Sequence, residues 1–89
     1  MASKPPSKAV PSQVRVIFGE NLRAARQEAG LTQEQLAEAA GLSRPHLSDI
    51  ERGLHNVQLE QAEGLASAVG KDLLELLKRP RRTQTRKKS

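Results

Sequence analysis

Thr32-Gln-Glu-Gln-Leu-Ala-Glu-Ala-Ala-Gly41-Leu-Ser43-Arg-Pro-His-Leu-Ser-Asp-Ile-Glu-Arg-Gly53 is the stretch that decides the fold. Thr32 with Gln35 three residues on is a capping box, which predicts a helix over 33–40. Leu36, Ala37 and Ala40 share its inner face. Gly41 supplies the residue that turns the chain in the left-handed region. Ser43 then caps a second helix over 44–52. Pro45 sits in its first turn, where a missing N–H costs little, and Gly53 follows its end. Leu47 and Ile50 point inward. Two short helices joined by a few residues with a glycine form the helix-turn-helix layout. Ala37 is small where the two helices approach each other.

The helical period continues on both sides. Upstream, Val14, Phe18, Leu22, Ala25 and Ala29 form a stripe that Gly30 ends. Downstream, a helix over 58–69 turns Leu59, Ala62, Leu65, Ala66 and Val69 inward and stops at Gly70. Asp72 with Glu75 opens a short last helix over 73–78, and Pro80 stops it. No alternating strand pattern and no hairpin signal interrupts the series, so the fold class is all-α with five helices. Residues 1–12, with prolines at 5, 6 and 11, and residues 79–89, with no apolar side chain, read as disordered arms around a helix-turn-helix domain at 13–78.

Charge divides the chain in the same places. The arms hold the excess of positive charge: Lys4 and Lys8 stand in 1–12, and seven basic residues without an acid stand in 78–89. The remaining six basic and all ten acidic residues lie in 13–77, so the folded part is net −4. The single aromatic ring of Phe18 argues against a surface that binds single strands by stacking bases. The chain has no cysteine, which excludes disulfides and thiolate metal sites. No apolar run reaches the roughly 20 residues of a membrane span. The N-terminus lacks the apolar stretch of a secretion signal, in keeping with a cytoplasmic protein.

Gly30-Leu-Thr-Gln-Glu-Gln-Leu-Ala37 and Gly41 to Gly53 together resemble the phage repressor and Cro-like helix-turn-helix family, also called the xenobiotic response element family. Phe18-Gly-Glu-Asn-Leu-Arg-Ala-Ala-Arg26, Asn56-Val-Gln-Leu59 and Leu65-Ala-Ser-Ala-Val-Gly70 extend the match, which covers about 14–77. The Ser-Asp-Ile-Glu-Arg-Gly and Asn-Val segments are similar to controller proteins of restriction-modification systems. The resemblance implies a compact, lambda-repressor-like DNA-binding domain, usually dimeric, that acts on transcription. It implies that Gln33 contacts a phosphate and braces the reading helix. Arg44, Pro45, Ser48 and Asp49 fall on positions facing bases or the groove wall, and Ser43, Arg52 and Asn56 fall near the DNA backbone. Arg26 and Glu51 match a charged pair that joins the first and third helices. Pro45 and Gln58 depart from the pattern: the proline removes a hydrogen-bonding side chain from a reading position, and Gln58 stands where a capping serine is common.

Helical geometry reaches part of the same site independently. With Leu47 and Ile50 inward, steps of about 100° put Pro45 and Asp49 on the opposite face, flanked by Ser48 and Arg52. The first turn of the reading helix, Arg44 to His46, enters the major groove first. Arg44 can offer two donors to guanine O6 and N7. Asp49 repels phosphate; it can accept from cytosine N4, or orient Arg44 or Arg52 within the protein.

The chain offers no catalytic constellation, phosphate-cradling glycine loop, cofactor motif or effector pocket. His46 and His55 lack the further ligands that a metal would need. The leading expectation is a sequence-specific regulator that binds double-stranded DNA as a homodimer. Leu73, Leu74, Leu76, Leu77 and Leu54 are candidates for the dimer surface, or for finishing the monomer core. An antitoxin or antirepressor that binds a second protein is the alternative. A chromosome-coating protein driven by its basic tail is a third.

Overall fold

The computed structural model describes residues 13–79; the parts of the two arms at 1–12 and 80–89 lie outside the described residues. Five helices follow one another: α1 (Gln13–Glu28), α2 (Gln33–Ala40), α3 (Arg44–Glu51), α4 (Leu59–Ala68) and α5 (Leu73–Leu76). The expected all-α order therefore holds among the described residues. α3 to α5 each end one or two residues short of the sequence reading, as fraying termini do.

The local devices are those the residues dictate. Gln35 N–H donates to Thr32 Oγ1 at 3.0 Å, and Thr32 N–H donates to Gln35 Oε1 at 2.9 Å, so the capping box of α2 is complete. Gly41 takes φ 73° at the turn between α2 and α3. Ser43 Oγ accepts from His46 N–H at 3.2 Å and opens α3. In α5 the Glu75 carboxylate accepts from Asp72 N–H at 2.9 Å. Gln58 makes no side-chain cap, so α4 starts unaided.

Leu22, Leu36, Leu47, Ile50 and Leu65 are fully buried, one or two from each of the first four helices. Phe18, Ala25, Ala37, Ala62, Ala66, Val69 and Leu76 complete the core. Three expected core positions stand outside it. Leu59 is 75% exposed, although its angle around α4 matches that of Ala66. It occupies the first turn, and no α4 residue before Ala62 is buried. Val14 and Ala29 are exposed in the same way, at the two ends of the α1 stripe. Periodicity gives the direction of a side chain and not the depth at which the helix meets its neighbours.

Two contacts on α1 fix the other helices around it. A Cβ placed on Gly19 would stand 2.5 Å from the Ile50 carbonyl oxygen and 2.6 Å from that of Glu51. Only a glycine lets α1 cross the end of α3 this closely. The Asn21 amide donates to the carbonyls of Leu76 at 2.8 Å and Lys78 at 2.7 Å. It thereby satisfies oxygens that the end of α5 would otherwise leave unpaired. Of the α5 leucines, Leu76 is buried and Leu73 and Leu77 pack against the core, while Leu74 stays 74% exposed.

Candidate nucleic-acid interface

The site is built on a buried ion pair. Arg26 donates from Nε to Glu51 Oε2 at 2.7 Å and from Nη2 to Glu51 Oε1 at 3.2 Å. Its Nη1 donates to the Leu31 carbonyl at 2.9 Å. Glu51 Oε1 also accepts from Gln33 Nε2 at 3.0 Å. The side chains of Arg26 and Glu51 are 11% and 2% exposed, so both charges depend on these bonds for their solvation. One network thus ties α1, the start of α2 and the last residue of α3.

Gln33 is left with one amide N–H and its carbonyl oxygen for a ligand. It lines an open groove of about 830 Å³ with Arg44, Ser48 and Arg52. Four of the nine expected contact residues therefore meet on one surface. Arg23 of α1 lies on the same surface. Arg26 is buried in its pair, Lys71 lies 3.5 Å from Glu28, and Arg15 is half-buried. Arg23, Arg44 and Arg52 are thus the exposed cations between residues 13 and 77, Arg52 within 3.8 Å of Asp49, and all three line the groove. Glu34 is the exposed carboxylate among them. A segment that is acidic by its sum presents a basic face, which refines the expectation that excess positive charge belongs to the arms.

The other five expected residues do not line that groove. Ser43 is exposed and accepts the cap bond; its hydroxyl still has a proton to donate. Pro45 and Asn56 are exposed, on α3 and in the following loop. Asp49 Oδ1 lies 3.8 Å from Arg52 Nη1, so of the two arginine partners considered for it the structure selects Arg52. His46 packs its ring against that of His55, with centroids 4.4 Å apart. The contact joins the first turn of α3 to the loop that carries Asn56.

The sequence reading passed over Arg23, Gly19 and Asn21. Arg23 was detectable: it stands three residues before Arg26, on a neighbouring flank of one helix. Gly19 also left a signal, because a glycine inside a helix costs about 0.5–1 kcal/mol relative to alanine and so asks for a packing reason. Asn21 left none, since its partners are backbone carbonyls 55 and 57 residues away.

The profile of the helix-turn-helix family matches residues 22–76. The immunity repressor protein of Bacillus phage phi105 is 50% identical over 52 residues, 58% of this chain and 36% of the phage protein. Control protein C.BamHI of Bacillus amyloliquefaciens is 40% identical over 68 residues, 72% of this chain and 84% of that protein. The restriction-modification controller protein C.Esp1396I, solved as a tetramer in complex with its natural 35-base-pair operator, superposes with a TM-score of 0.67. Its identity is 28%, over 74% of this chain and 91% of that one. The chain thus spans about a third of the phage repressor and most of each controller. It belongs to the helix-turn-helix family.

Proposed function

We propose that this protein regulates transcription by reading a specific duplex sequence as a homodimer, with α3 in the major groove. The observation that carries the reading is the groove itself, where Arg23, Arg44 and Arg52 gather beside Gln33 and Ser48. Arg44, at the tip of α3, pairs with guanine, and Pro45 offers apolar contact, as to a thymine methyl. Ser48 and Asp49 face the groove wall. Gln33, Ser43, Arg52 and Asn56 meet the backbone, and His46 fixes the first turn beside them. Two copies would place their reading helices about 34 Å apart, on successive turns of a two-fold symmetric site. The role is one of binding rather than catalysis. It fits a cytoplasmic protein; among the described residues no helix is long and apolar enough to cross a membrane.

The exposed Leu74 on α5 supports pairing of two copies through that end of the domain. The tetrameric, operator-bound state of the C.Esp1396I relative favours like copies over an unlike partner. Selection from a random pool of duplex DNA tests the whole reading. A two-fold symmetric motif is the expected result. Enrichment of an asymmetric motif would remove the homodimer, and no enrichment would remove sequence reading. A second protein that co-purifies in fixed ratio with the native chain would instead favour an antitoxin or antirepressor.

A further inference from the structure

We propose that Arg23 on α1 grips the phosphate backbone of the bound duplex, from the groove that it lines together with Arg44 and Arg52. The proposal rests on the reading of that groove as the duplex-binding surface. Arg23 and Arg26 are three residues apart, about 60° around one helix, and so lie on adjoining flanks. Their environments separate their roles. Arg26 turns into the protein and spends its donors on Glu51 and the Leu31 carbonyl. Arg23 stays exposed and makes no hydrogen bond or ion pair among the described residues. Its guanidinium keeps five donors in a planar fork, the geometry that suits a phosphodiester oxygen pair.

Its place in the fold selects phosphate over base. The reading helix delivers side chains from its outer face and first turn, whereas Arg23 projects from α1, outside the helix-turn-helix. It lines the groove that Arg44 borders from the start of α3, Arg52 from the C-cap of α3, and Gln33 and Glu34 from α2. With Arg26 and Glu51 neutralising each other, three exposed guanidiniums face the single exposed carboxylate of Glu34. A strand lying along this surface meets positive charge from α1 as well as from α3. The net −4 of residues 13–77 disfavours polyanions elsewhere, so each cation on this face counts toward how the duplex is seated.

The test compares wild type, Arg23→Ala, Arg23→Lys and Lys71→Ala, the last removing a cation placed elsewhere, beside Glu28. Anisotropy titrations use the duplex recovered by selection and a scrambled duplex of the same composition. For Arg23→Ala, the slope of log affinity against log salt should become shallower by about 1.8 on both duplexes, about 0.9 for each copy in the bound homodimer. The wild-type advantage then shrinks about 12-fold between roughly 50 and 200 mM salt. Base preference should not change, Arg23→Lys should restore most of the slope, and Lys71→Ala should match wild type. Overlapping thermal melts would confirm that every variant is folded. An unchanged slope in Arg23→Ala, with wild-type binding still salt-dependent, overturns the proposal alone. A lost preference at one base position also overturns it, by making Arg23 a base contact. If wild type binds neither duplex, the functional reading fails with it.

Discussion

Arg26 and Glu51 meet as a two-pronged pair across the contact of α1 with α3, and Gln33 shares the same carboxylate. Both side chains of the pair line the groove, but they are 11% and 2% exposed and are spent on each other rather than on a ligand. Loss of the pair would therefore act on DNA binding through the fold. Removing one partner of a buried pair leaves an uncompensated charge and costs about 3–5 kcal/mol. Glu51→Ala and Arg26→Ala should each lower stability by that amount in urea melts. The double variant should lose far less than the sum of the two, because neither charge is then stranded. Additive losses would mean that the two side chains act independently.

Two glycines in helices should respond with opposite sign. Gly19→Ala drives a methyl into the carbonyls of Ile50 and Glu51, where overpacking costs about 1–3 kcal/mol. A Cβ on Gly64 of α4 meets nothing within 4 Å, so Gly64→Ala should stabilise by about 0.5–1 kcal/mol. Thermal melts of the two variants check both signs.

Asn21 closes the end of α5 with two hydrogen bonds. Asn21→Ala should cost about 1–3 kcal/mol, the sum expected for two such bonds. Hydrogen exchange should speed up first at residues 73–78, and α2 and α3 should be spared at low denaturant.

Gln58 occupies an extended N-cap position, φ −73° and ψ 154°, without a side-chain cap. Gln61 stands three residues on, where it could complete a capping box. Gln58→Ser should therefore stabilise α4 by about 1 kcal/mol. An unchanged urea midpoint would show that the start of α4 does not limit stability.

Arg44→Ala should reduce discrimination at one base pair of each half-site by about 1–3 kcal/mol. Binding to each single-base variant of the selected duplex reads this out. Equal weakening on every duplex would make Arg44 a phosphate contact.

Most of the fold was legible because its signals are local. The Thr32–Gln35 box, Ser43, and the glycines at 30, 41, 53 and 70 mark boundaries with chemistry that acts over three or four residues. All four glycines take positive φ. The Arg26–Glu51 pair came from the family resemblance, since spacing alone would not join residues 25 positions apart. What escaped depends on how deeply helices dock. Leu59 fits its stripe and lies beyond the core, and most of the α5 leucines go to the monomer. Asn21 finds its partners only after the chain has closed on itself. In the site, Gln33, Arg44, Ser48 and Arg52 were placed together, whereas Arg23 belongs to a helix outside the motif.

The contacts that hold α3 gather on one side of it and toward its end. Leu47 and Ile50 fill the core, Gly19 abuts the carbonyls of Ile50 and Glu51, and Arg26 holds the Glu51 carboxylate. Arg44, Pro45, Ser48 and Asp49 take no part in that anchoring. If these four side chains read the duplex as proposed, substitutions there would change the preferred operator with little penalty in folding. Drift in what the protein recognises is uncoupled from the requirement that it stay folded. On that proposed reading, a lineage carrying this domain would acquire new target sequences one residue at a time, without a second change to rescue the fold.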